Sequence, residues 1–336
     1  MDTRVKAIVF ALLAAGLYGI SSPVSKILLK ELSPTLMAAL LYLGAGLGML
    51  IVNLINMRQK KEQTEARITK KELPFVIGMI LLDIAAPIFL MIGLSSTTSS
   101  NAALLNNFEI VATSIIAMVI FRENIGKRMW VAIAFITVAS ILISVNTTET
   151  LSFSIGSIFV LMACVTWGFE NNCTRMLSIK NPLQIVVIKG FGSGMGSLLI
   201  FLFLREYHFQ IFYVIGALML GFVAYGLSIY LYIQAQRDLG AARTSAYYAV
   251  APFIGVLVSW IVLREPITTN FMVGLLIMIA GTYFAITEDH HHAHVHDATL
   301  HEHKHNHEDG HHTHHHDEPI KGEHSHEHKQ IGRAHV

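Results

Sequence analysis

Apolar residues run along this chain in blocks of membrane-spanning length, separated by charges or turn residues, at 5–29, 36–57, 73–94, 100–121, 129–145, 155–174, 183–204, 212–234, 244–263 and 271–287. A helix rises about 1.5 Å per residue, so about 20 residues cross a hydrocarbon core of about 30 Å. The pattern predicts an all-α polytopic membrane protein with ten transmembrane helices, the fifth and tenth being shortest at about 17 residues. The first block has the basic start of a secretory signal, but it continues past Pro23 to Leu29 and further spans follow. It reads as an uncleaved first span.

Polar residues inside the blocks are the candidates for function. Glu109 falls near the middle of 100–121, beside Asn106 and Asn107. A charge at that depth costs about 2.5 kcal/mol on insertion scales and should face other helices or a wet cavity. Asp83 lies mid-way along the third block, four residues before Pro87, and Lys189 lies about 9 Å into the seventh. Glu109 or Asp83 is then a proton-coupling carboxylate, or either one forms a structural ion pair with Lys189 that fastens the two halves together. Glu170, with Asn171 and Asn172, closes the sixth block near cytoplasmic water, where snorkelling or capping competes with binding. Pro23 breaks the first helix next to Ser21 and Ser22, and such a break is tolerated only against protein or a cavity. Tyr225, Tyr248 and Pro252 form either an aromatic wall of that cavity or packed core.

The two halves of the chain repeat one another. Tyr18-Gly19 with Lys26 recurs as Trp167-Gly168 with Arg175, and Pro34 recurs as Pro182. Gly44, Gly46 and Gly48 recur as Gly192, Gly194 and Gly196, and Arg122-Glu123-Asn124-Ile125 recurs as Arg264-Glu265-Pro266-Ile267. Gly44 with Gly48, and Gly192 with Gly196, present smooth faces for close helix packing. The two Arg-Glu pairs are expected to fix helix ends. Five spans per copy is an odd number, so the copies are inverted, with residues 1–145 and 155–287 joined by a linker at 146–154. Lys and Arg crowd the alternate loops that share a side with the N-terminus, which puts both termini in the cytoplasm.

The aromatic-Gly and Pro23 of the first span, the Arg-Glu pairs closing the fourth and ninth, Pro252 and the ten-helix duplication resemble the EamA family of the drug/metabolite transporter superfamily. The resemblance covers about 5–287. It implies a plasma-membrane secondary transporter. The inverted repeat itself places binding at the repeat interface, where the candidate substrate or coupling residues are Ser21, Ser22, Pro23, Asp83, Asn106, Asn107, Glu109, Trp167, Lys189, Tyr225, Tyr248 and Pro252. The expected cargo is a small metabolite, an amino acid or related compound, exported without a required cofactor and without nucleic acid as a partner.

Composition adds a tail of opposite character. The chain is 53% apolar and only 14% charged, yet 18 of its 19 histidines follow Thr287, in an acidic segment expected to be disordered. His290, His291, His292, His294, His296, His301, His303, His305, His307, His311, His312, His314, His315 and His316 are candidate ligands for zinc, nickel, cobalt or copper. This motivates the rival reading, a divalent-metal transporter or a metal-responsive membrane protein. No span contains a histidine, which weighs against metal as the cargo. Residues 330–336 read as translated sequencing adapter. Cys164 and Cys173 stand about 13 Å apart along one helix and should not bridge. No nucleophile and base occur together in the spans, so the chain is not expected to be an enzyme.

Overall fold

The computed structural model describes residues 3–58, 68–122, 125–146, 152–177, 180–205, 209–239, 244, 247–287, 300–305 and 324–329. Its first compact unit, Met1–Glu288, is built of helices. The first half contributes α1 (Thr3–Gly19), α2 (Ser21–Leu28), α3 (Pro34–Arg58), α4 (Leu73–Ser96), α5 (Ser99–Leu105), α6 (Phe108–Phe121) and α7 (Lys127–Ser144). The second contributes α8 (Ile155–Arg175), α9 (Pro182–Leu204), α10 (Ile211–Leu220), α11 (Ser228–Leu239), α12 (Ala251–Val258) and α13 (Thr269–Ile286). Helices suit an apolar chain in lipid because each satisfies its own backbone polar groups.

Eight helices among the described residues are long and apolar enough to cross a membrane. The expected sixth and ninth spans are the two that fall short of that standard. Helix α8 has the length, at 21 residues, but its polar end Glu170-Asn171-Asn172 lowers its apolarity. The ninth was expected over 244–263; Thr244, Tyr247 and Tyr248 are helical, a turn follows at Ala249 and Val250, and the apolar helix after it runs from Ala251 to Leu263. Pro252 accounts for the turn, since a residue with no N–H and a fixed φ suits the first turn of a helix rather than its interior.

Three other spans are interrupted. Ile20 separates α1 from α2, three residues before Pro23. Asn106 and Asn107 separate α5 from α6, and there the N–H groups of Asn107, Glu109 and Ile110 each reach back three residues instead of four. This tightened turn leaves the Leu105 carbonyl to the Cys164 thiol, which donates to it at 3.5 Å. The third interruption is a π segment, Gly221–Leu227, between α10 and α11, and a second such segment, Ser259–Leu263, continues α12. Local π turns recur at functional sites in helical proteins.

The repeat is visible in the packing. Helix α3 packs on α9, and α7 on α13; α4 packs on α8 as α1 packs on α11. Exchanging the halves maps this set of contacts onto itself. The glycines follow the same rule: a Cβ at Gly44 would lie 2.1 Å from the Leu218 carbonyl oxygen and one at Gly48 would lie 1.9 Å from the Phe222 ring, while Gly192 and Gly196 abut Ile80 and Ile84 of α4. Gly46 and Gly190 hold α3 against α9, where a Cβ on Gly190 would come within 2.5 Å of the Gly46 backbone. Large apolar side chains such as Phe203 (86% exposed) and Phe212 (79%) turn outward, while Asp83 is 0% exposed. An apolar rim around a polar interior is the arrangement a bilayer selects.

Outside the helices, β1 (Val145–Asn146) pairs antiparallel with β2 (Ser152–Phe153). The second compact unit, Asp289–Val336, holds β3 (Leu300–His305) paired antiparallel with β4 (His324–Lys329).

Candidate functional site

Four helices bring ionisable groups together in the interior. Asp83 comes from α4, Glu109 from the first turn of α6, Glu170 from α8 and Lys189 from α9. The Lys189 ammonium lies 3.0 Å from Asp83 Oδ2 and 2.9 Å from Glu170 Oε1. Tyr42 of α3 donates its hydroxyl to Asp83 Oδ1 at 2.8 Å, and Thr174 donates to Glu170. Of the two pairings weighed from sequence, Asp83 with Lys189 is formed. Glu109 instead accepts from Asn171 Nδ2 at 2.6 Å, and that amide is also 3.3 Å from Thr113 Oγ1.

Glu170 is 2% exposed, so it neither snorkels nor caps an open helix end. Its carboxylate takes part in the central ion cluster, and the neighbouring Asn172, also buried, donates to the Gly168 and Thr113 carbonyls at 2.8 and 3.3 Å.

Aromatic rings continue the cluster. Tyr225, in the π segment, has its ring 5.6 Å from Tyr42 and 5.8 Å from Tyr18, which in turn is 5.9 Å from Tyr248. Tyr248 stacks edge-on with Tyr232 at 5.0 Å. Ser21 Oγ reaches the Tyr225 hydroxyl at 3.4 Å. Ser22 and Pro23 are buried in α2, and Trp167 belongs to the apolar core. Among the described residues no hydrogen bond or ring contact ties Trp167 or Pro252 to the carboxylates. Asn107 donates to the Leu104 carbonyl at 3.1 Å, while Asn106 Oδ1 is buried with no partner.

A second cluster clamps one end of the bundle. The Lys26 ammonium contacts the carbonyls of Leu94, Ser95 and Thr97 at 2.5, 3.3 and 2.7 Å, at the C-terminus of α4. Glu265 accepts from the Ser99 and Ser100 N–H groups at 2.6 and 2.8 Å and from the Ser100 hydroxyl at 2.6 Å, at the N-terminus of α5. Each charge sits where the helix-end dipole favours it. Arg264 stops the preceding helix in the left-handed conformation, as Arg122 stops α6. The Arg-Glu motif therefore ends one helix and caps another; Glu123 lies outside the described residues. A mostly apolar cavity of about 480 Å³ lies beside this clamp, lined by Asn101, Trp260, Phe271 and their neighbours, away from the carboxylates.

Among the described residues no group of His, Cys, Asp and Glu is placed to hold a metal ion. His301, His303 and His305 lie on β3, in register with His328, His326 and His324; the other candidate histidines of the tail lie outside the described residues. Both cysteines are free.

Sequence reasoning did not assign Tyr42 or Tyr18 to the site, and it left Glu170 between binding and an interfacial cap. Glu170 follows Trp167-Gly168 as Ser21 follows Tyr18-Gly19, and this register places it at the depth of the first-span break. Tyr42 is a lone tyrosine in an apolar run and carries no such signal.

Residues 5–145 and 154–287 each match the EamA-like transporter family. An uncharacterized transporter of Methanothermobacter thermautotrophicus is 25% identical over 282 residues, covering 79% of this chain and 82% of its own length. The uncharacterized transporter YyaM of Bacillus subtilis is 24% identical over 262 residues, covering 75% and 84%. One solved crystal structure shares the fold with a TM-score of 0.60 at 12% identity, over 85% of this chain and 96% of that one.

Proposed function

Because the chain belongs to the EamA-like transporter family, we propose that it is a secondary transporter exporting a small metabolite, an amino acid or a related compound, across the plasma membrane. In this reading the chain crosses the bilayer ten times, as two inverted repeats at 1–145 and 155–287, with both termini in the cytoplasm. Family membership sets it among transporters rather than enzymes.

The observation that carries the reading is the cluster of Asp83, Glu109, Glu170 and Lys189 between the halves. Buried ion networks are poor sources of net stability, and ionisable groups inside membranes mark the paths of ions and substrates. Two inverted repeats that meet at such a cluster can rock about it and expose it to each side in turn. Glu109 forms no ion pair among the described residues, so it is the group proposed to exchange a proton during the cycle.

The test is a flux screen of amino acids, related amines and divalent metals in sealed vesicles, with and without a pH gradient. Gradient-dependent movement of an organic solute supports the reading. Movement of zinc or nickel alone would replace it with the metal-carrier reading, and no movement of any solute would leave a membrane receptor or scaffold.

A further inference from the structure

Resting on that reading and narrowing it, we propose that the central cluster binds the ammonium group of a protonated amine, and that the cargo is a net cation without a carboxylate of its own. The first argument is charge. Three carboxylates, Asp83, Glu109 and Glu170, face one ammonium, Lys189, which is already shared between two of them at 3.0 and 2.9 Å. Nothing in the cluster is left to neutralise a substrate carboxylate. With all three carboxylates ionised, two negative charges are left over, and a buried charge without a counter-charge is costly.

The second argument is the kind of polar atom on offer. Glu109 is part-buried and has a single hydrogen bond among the described residues, from Asn171 at 2.6 Å. Asn106 lies in the turn just before α6, its backbone carbonyl accepting from the Glu109 N–H at 3.1 Å, and its buried Oδ1 has no partner. The Glu109 carboxylate and this amide oxygen are both acceptors, so a ligand that satisfies them must bring the donors, which an ammonium does three times over.

The third argument is the wall. The Tyr18 ring lies 5.8 Å from Tyr225 and 5.9 Å from Tyr248, and Tyr18 is within electrostatic range of Glu109. Ring faces carry negative potential and attract cations, most strongly where water is excluded. Asn171 of α8 is hydrogen-bonded to Glu109, and the titratable groups that interact with that carboxylate electrostatically are Tyr18 from α1, Tyr225 from the π segment, Tyr248, Cys164 and Glu170 from α8, and Lys189 from α9. Lys189 is the one cation among these, and it is engaged. A proton on Glu109 and an ammonium beside it relieve the same buried charge, so the two compete, and one amine leaves or enters as one proton replaces it.

The experiment is equilibrium binding to the purified full chain in detergent, followed by ligand-induced shift of the thermal midpoint. The probes are 2-phenylethylamine, 2-phenylethanol, 3-phenylpropionate and phenylalanine, with butylamine and butyrate as the aliphatic pair. The amines should bind at least about tenfold more tightly than the alcohol or the carboxylates, and phenylalanine should bind more weakly than 2-phenylethylamine. Glu109→Gln should abolish the preference and Glu109→Asp should keep it. In the unmodified protein, which needs no variant to fold, amine affinity should fall as pH is lowered. Equal binding of phenylalanine, tighter binding of the carboxylates, or no amine binding at all would overturn the proposal. Amine binding without flux of any solute in proteoliposomes would uphold the ammonium site and sink the transport reading, and the cargo assignment with it.

Discussion

Lys189 and Asp83, which lie in different halves of the chain, stand 3.0 Å apart, and the Asp83 side chain is wholly shielded from solvent. This contact and the Lys189–Glu170 contact at 2.9 Å join α4, α8 and α9 at one point. Removing one partner of a buried ion pair strands the other, which typically costs about 3–5 kcal/mol. Lys189→Met should therefore lower the thermal midpoint more than any other single change in the cluster. Tyr42→Phe, which deletes one hydrogen bond to Asp83, should cost only about 1 kcal/mol. Differential scanning fluorimetry on both variants checks the order; a Lys189→Met protein as stable as the parent would show that the pair holds nothing together.

The Glu265 carboxylate at the start of α5 invites a local test. Glu265→Gln removes the charge from the acceptor of the Ser99 and Ser100 N–H groups, a loss of about 1.5–3 kcal/mol by the usual worth of charged hydrogen bonds. Hydrogen exchange at those two amides should accelerate, with little change in α9 or α13. Unaltered exchange would mean that the α5 end is held by other contacts.

Close packing can be probed at a pair of glycines. A Cβ at Gly44 would lie 2.1 Å from a backbone oxygen of α10, whereas one at Gly16 has nothing within 4 Å. Gly44→Val should fail to give a monodisperse protein in detergent, and Gly16→Ala should behave like the parent. Size-exclusion profiles decide; a monodisperse Gly44→Val protein would contradict the tight α3–α10 contact.

For the tail, the expectation is regulatory. Deleting residues after Thr287 should leave basal flux unchanged and remove any response to zinc or nickel, because the segment is hydrophilic and rich in imidazoles. Metal addition to vesicles carrying each form measures this. Loss of all flux in a correctly inserted truncated protein would make the tail part of the route.

How much of this was legible depended on the residue type. The glycine triplets predicted close helix faces, and Gly44 against Leu218 and Gly192 against Ile80 are such contacts in both halves. Glycine carries that information because it lacks a side chain whatever the surroundings. The break at Asn106–Asn107 was not legible, since both residues keep right-handed helical backbone angles and no proline or glycine marks the site. Pro252 was read as lying inside a helix that it in fact helps to begin. The depth of Glu170 was hidden by its position near a helix end, where water is the default expectation, until α9 was seen to bring Lys189 against it.

The most direct test of the coupling role given to Glu109 is amine-driven proton movement in proteoliposomes carrying either the parent chain or Glu109→Gln. An outward amine gradient imposed on the parent should drive protons the opposite way, seen as a change in an internal pH dye. The variant, folded and inserted to the same extent, should show no proton movement above empty vesicles. Proton movement in the variant equal to that of the parent would contradict the account.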